Sequence, residues 1–160
     1  MSRVFLSSNK SFDKVSHATL TKRLCGIAPS WSQSYLQDRT QFVKLRQHRS
    51  SETTMEVGIP QGSVLGPLLF AVYCSPVADV IASHGVRRHQ YADDTQLHLA
   101  MRVDNTAAGL SILAACTTDV KQWYMQNGLQ LNPDESEALF MGTATQLRAV
   151  SSLPNVDQTR

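Results

Sequence analysis

The sequence predicts an α+β fold, a mainly antiparallel sheet with helices packed on one face. Three observations lead there. Strand-like and helix-like stretches follow one another without a regular βαβ period. After Asp93-Asp94, the apolar Leu97, Leu99 and Met101 alternate with Gln96, His98 and Ala100, as in a half-buried strand. Adjacent aspartates are poor strand formers and good turn residues, so the pair is expected at the tip of a hairpin over 87–100. The third is GIPQGSVLGPLLF, residues 58–70, a Gly-rich loop that runs into an apolar helix.

In chain order, RVFLS (3–7) is a short apolar strand. His17 to Leu24 has helical spacing and is stopped by Gly26. Ser30 is expected to cap a second helix through Leu36, with Trp31 and Tyr35 four apart on one face. Residues 40–46 and 53–57 pair as a hairpin around a polar loop. Pro67 suits the start of the helix after the Gly-rich loop, and Pro76 ends or kinks it, with Val77–Ile81 continuing. Asn105 opens a long helix to about Asn127, with Leu110, Leu113, Val120 and either Trp123 or Tyr124 facing inward and Gly128 as its stop. Residues 137–142 form a last strand, and 143–160 are polar and expected to be a disordered tail.

The 160 residues suffice for one domain with a core, and the 42% hydrophobic and 18% charged fractions are ordinary. A net charge of +2 does not by itself argue for a polyanion partner. Arg39, Lys44, Arg46, His48 and Arg49 cluster, and Arg87, Arg88 and His89 precede the aspartates; either run reads as a solvated face or a phosphate contact. Cys25, Cys74 and Cys116 show no metal spacing and read as reduced core residues. With no secretory signal pattern and no apolar run of spanning length, no membrane partner and an intracellular setting are expected.

Two carboxylates at a turn are turn chemistry or a cation site. Mg²⁺ takes one or two protein carboxylates plus substrate phosphates and water, and two such ions about 4 Å apart catalyse in-line displacement at phosphorus.

SYLQDRTQFVKL, GIPQGSVLGPLLF, YADDTQ and WYMQNGLQLNPDESEALFMG, in this order and spacing, closely resemble the reverse transcriptases of non-LTR (LINE-type) retrotransposons. The resemblance runs from about Val4 to Gly142 and marks residues 1–142 as a fragment of the polymerase palm. It implies a ferredoxin-like sheet whose central hairpin carries the aspartates. The implied partners are an RNA template, a DNA primer and deoxynucleoside triphosphates, and the implied cofactor is Mg²⁺ or Mn²⁺. Asp93 matches the family's metal-binding aspartate and Asp94 its less direct neighbour. Gln61 and Gly62 match the loop along template and nucleotide. Phe12 matches the aromatic beneath the sugar, although an aromatic there is equally well plain core.

The family's first strand reads roughly LDLSKAFD, and its leading aspartate is the other metal ligand. Here the stretch is LSSNKSFD (6–13), which puts Ser7 at that position. Asp13 follows Phe12 and does not replace it. Glu135 stands where the family usually has the lysine thought to protonate pyrophosphate, and YCSPV (73–77) replaces the common YINDL. Fingers and thumb are expected to be largely absent. The expectation is a catalytically dead polymerase domain that binds Mg²⁺ weakly and retains nucleic-acid contact through Arg39, Lys44, Arg46 and Arg49. A protein-interaction module is the alternative, and self-association is expected from uncovered surfaces.

Overall fold

The computed structural model describes residues 2–8, 11–27, 29–60, 62–144 and 147–148. The first strand, β1 (Ser2–Ser8), is followed by a 3-10 turn at Phe12–Lys14 and by α1 (His17–Leu24) and α2 (Pro29–Leu36). Four two-residue strands make a small arm: β2 (Thr40–Gln41), β3 (Lys44–Leu45), β4 (His48–Arg49) and β5 (Thr53–Thr54). Then come α3 (Gly66–Cys74), α4 (Val77–Ser83), β6 (Arg87–Tyr91), β7 (Asp94–Leu99), α5 (Thr106–Gln126) and β8 (Leu131–Phe140).

The main sheet has the order β6-β7-β1-β8, with every neighbouring pair antiparallel. The strand that opens the chain thus lies between the second hairpin strand and the last strand. Alternation sorts its two faces. On β1, Ser2, Leu6 and Ser8 are buried while Arg3, Phe5 and Ser7 are only half-buried. On β7, Thr95 and Leu97 are buried while Gln96 and His98 are not. The buried face meets one core built with Leu69, Phe70, Tyr73, Val77, Ile81, Leu113, Val120 and Tyr124.

Local chemistry explains the helix limits. Ser16 caps α1 by accepting the Thr19 N–H at 3.4 Å. Pro76 interrupts the apolar run, and α3 and α4 meet at a 46° bend. Among the described residues no single helix is long and apolar enough to cross a membrane. Gly128, at φ 72°, closes α5: its N–H donates to the Met125 carbonyl, and the Leu129 N–H donates to the Tyr124 carbonyl. These paired bonds satisfy the last carbonyls of the helix and need a left-handed residue at Gly128.

Several expectations change. The last strand begins at Leu131 and ends at Phe140, not 137–142. Its register against β1 slips between Phe5 and Ser7: Phe5 faces Glu137 and Ser7 faces Asn132. Residues 133–136 therefore form a bulge opposite Leu6, which conceals the strand's start from a period-two reading. Pro133 is tolerated because β8 is an edge strand. Ser30 lies inside α2, which already starts at Pro29. The expected 40–57 hairpin is subdivided. β2 pairs with β5, while β3 and β4 form their own tight hairpin with Arg46 at φ 56° in its turn. Leu110 is only half-buried, and Tyr124 rather than Trp123 is the fully buried aromatic of α5. Of the expected tail, residues 145, 146 and 149–160 lie outside the described residues, and the Leu147 N–H donates to the Thr143 carbonyl at 2.9 Å.

Candidate functional site

The β6–β7 hairpin closes on the pair Tyr91–Asp94. Ala92, at φ 50°, and Asp93 make the turn, so Asp93 is at the tip and Asp94 opens β7. Both carboxylates therefore sit at one end of the sheet, as expected from the turn chemistry. The β1–β7 register runs from Ser2–Leu99 to Leu6–Thr95. One step further places Ser7 beside Asp94, at the same end.

The β8 bulge brings a third element to this end. The Ser7 hydroxyl donates to a Glu135 carboxylate oxygen at 3.2 Å. Asn132 supports the bulge: its side-chain oxygen accepts the Asp134 N–H at 3.2 Å, and its carbonyl accepts the Ser136 hydroxyl at 2.6 Å. Burial pushes the Asp93 carboxyl above its usual range, a backbone hydrogen bond opposes this, and the negative charges of Asp94 and Glu135 add to the rise. The end of the sheet thus holds three carboxyl side chains and one hydroxyl, with no cation paired to the carboxylates among the described residues.

Asp93 and Asp94 are hard-oxygen donors of the sort Mg²⁺ accepts, and two carboxylates are enough to fit one such ion when substrate phosphates share it. To the same end of the sheet β1 contributes the neutral Ser7. Among the described residues no three His, Cys, Asp or Glu side chains are grouped to hold a metal ion.

A polar layer beneath the turn had no signal in the sequence. Thr95 is buried, with its hydroxyl 3.5 Å from the Tyr124 hydroxyl. Burial raises both Tyr124 and Cys74, the latter to about 12, and Asp93 adds to each. Arg23 stacks over Tyr73 and Trp123 and donates to the Asn127 side chain at 2.8 Å, while the Tyr73 hydroxyl donates to the Asn127 carbonyl at 2.7 Å. These residues come from β7, α1, α3, α5 and its C-cap Asn127, so only the packed fold brings them together.

The other site residues are dispersed. Phe12 is half-buried and stacked on Phe70, ring centres 5.1 Å apart. Gly58, at φ 99°, ties the Gly-rich loop to α1: its N–H donates to Val15, and its carbonyl accepts the buried His17 ring nitrogen at 2.7 Å. An added Cβ there would stand in ordinary contact, 3.4 Å from the Asp13 carbonyl oxygen, so it is the backbone conformation that calls for glycine. Gly62 is exposed at φ 76°, and Gln61 lies outside the described residues. Arg39 stacks over Tyr35 at 4.9 Å. Lys44 and Arg46 are exposed on the small arm, whose two ribbons are separate from the main sheet. Arg49 pairs with Glu52 and covers the Phe42 ring at 3.7 Å.

Residues 3–152 match the family described as "Reverse transcriptase (RNA-dependent DNA polymerase)". The chain belongs to the reverse transcriptases, in their non-LTR, LINE-type branch. Its curated relatives in Drosophila melanogaster include the probable RNA-directed DNA polymerase from transposon BS, 32% identical over 83% of this chain. The RNA-directed DNA polymerase from mobile element jockey is 30% identical over 82% of it. That from transposon X-element is 32% identical over 66%. This reverse transcriptase chain spans 16% of the first relative's length and 15% of the second's.

Proposed function

We propose that this domain is the polymerase palm of an RNA-directed DNA polymerase, and that with Ser7 and Glu135 in place it is catalytically silent. The strand order supports the palm reading. A β1–helices–β6–β7–helix–β8 path with β1 and β7 central is the split βαβ plan of a ferredoxin-like sheet. In an active palm the bound divalent ions would activate the primer 3′-hydroxyl and stabilise charge shifting onto the leaving phosphates. Asp93 and Asp94 are the residues here to hold such an ion, Mg²⁺ or Mn²⁺. The template, primer and deoxynucleotide would lie along the face next to them, with Gln61, Gly62 and Phe12 toward the nucleotide. Arg39, Lys44 and Arg46 would contact the phosphate backbone.

The observation that carries the silent reading is the Ser7–Glu135 hydrogen bond. A neutral hydroxyl stands where a carboxylate would offset the repulsion between two divalent ions. Its partner is a carboxylate that repels a triphosphate and cannot protonate the leaving group as a lysine would. A barrier raised by only about 4 kcal/mol slows the reaction roughly a thousandfold.

Primer extension on an RNA template, with Mg²⁺ and with Mn²⁺, tests this. No extension is expected, and extension by the unmodified chain refutes the silent reading. Calorimetric titration tests the position of Ser7 independently of turnover. Ser7→Asp is expected to tighten Mg²⁺ binding, and equal affinity in both forms removes Ser7 from the site.

A further inference from the structure

We propose that the uncovered face of the main sheet carries a phosphate-binding row, Arg3–His98–Arg87, which holds the sugar-phosphate backbone of a nucleic acid passing toward Asp93 and Asp94. The inference deepens the nucleic-acid reading above and rests on it. The row is set by strand pairing. His98 of β7 is the direct partner of Arg3 on one side and of Arg87 on the other. Neighbouring strands are about 4.8 Å apart, so the three side chains rise side by side on the face opposite the buried Leu97 and Leu6.

Two arginines, one on each side of His98, concentrate positive charge on this face. Among the described residues Arg3, His98 and Arg87 form no ion pair. The outer neighbour of Arg3 is Leu139, and Glu137 stands one row on, opposite Phe5. The Arg3 Nε is buried without a hydrogen-bond partner. A polyanion supplies both the charge and the acceptor that this row lacks.

The rest of the face agrees. From His98 to Asp94 is four residues, about 13 Å along the strand. Between them on the same face lie Gln96 and, on the flanking strands, His89 and Phe5. Tyr91, paired with Asp94, is 74% exposed. Basic groups at one end, aromatic rings beyond and carboxylates at the other end suit a strand held by its phosphates with bases free to stack. Burial, then Arg3 and His89, lowers the His98 pKa, which disfavours a charge on its ring. The two arginines carry the electrostatic part.

The test is fluorescence anisotropy of a labelled DNA primer annealed to an RNA template, titrated with the chain at several KCl concentrations. R87Q and R3Q should each weaken binding and flatten the plot of log affinity against log salt by roughly 0.7–0.9, and the double variant by about twice that. Arg87 is exposed on an edge strand, so R87Q probes the row without touching the core. R3K, which keeps the charge, should keep the slope. K22Q, an exposed cation on α1, should leave it unchanged. If the unmodified chain binds and R87Q and R3Q share its slope, the row is refuted while the nucleic-acid reading stands. If the unmodified chain does not bind at all, both fall.

Discussion

Asp93 concentrates the tension at the acidic end of the sheet. Its carboxyl is pushed up by burial, then by Asp94 and Glu135. An acid whose pKa is higher in the folded state adds stability at low pH, and that contribution is lost as pH rises through the folded value. Asp93→Asn removes this loss. We expect the variant to melt at a higher temperature than the parent at pH 7, with the gap closing below about pH 3.9, the ordinary aspartate value. Thermal denaturation across that range checks it, and a gap independent of pH would show that the charge is not the cause. Ser7→Asp should act in the opposite sense. It sets a new carboxylate beside Glu135, where the hydroxyl now donates at 3.2 Å. Without divalent cation its melting temperature should fall, and Mg²⁺ should recover more of it than in the parent.

At the level of elements, α5 is the brace behind the hairpin. It buries Leu113, Cys116, Val120 and Tyr124 at helical spacing, and Tyr124 lies under Thr95 of β7. Its end depends on Gly128, whose φ of 72° a residue with a Cβ adopts only with strain. Gly128→Ala should cost about 1 kcal/mol. Chemical denaturation should show a lower midpoint with an unchanged slope, since the surface exposed on unfolding does not change. Leu113→Ala in the same helix should cost more, about 2–5 kcal/mol, because it leaves a cavity in the core.

For the whole molecule, the small arm is the segment that matters, because it is exposed along its length. Every residue from 41 to 50 is exposed, including Phe42, Val43 at 74% and Leu45 at 72%. Contiguous apolar groups of this kind mark contact surfaces, whereas a single exposed side chain does not. We expect the chain to self-associate at high concentration, and Val43→Thr with Leu45→Thr to reduce it. Light scattering of the parent and the double variant decides; a monodisperse parent monomer would remove the arm as the cause.

Local pattern was enough for the hairpin of 87–100 and its aspartates, for α1, for the bend at Pro76 and for the stop at Gly128. Each is fixed by side chains within a few residues: alternation, helical spacing of leucines, a missing N–H, a tolerated left-handed backbone. Phe12 shows the limit of such reading, since its ring looked as much core as contact and is stacked on Phe70. The motif wording, through its resemblance, reached further and named Ser7 and Glu135 as departures. It did not show that they touch. That contact needs β8 to pair with β1, more than a hundred residues away in sequence, and to bulge so that Glu135 turns toward Ser7. The row Arg3–His98–Arg87 and the layer of Thr95, Tyr124 and Cys74 beneath Asp93 arise likewise from strand register and helix packing. Those depend on which distant surfaces exclude water together, and no local window of the sequence contains that choice.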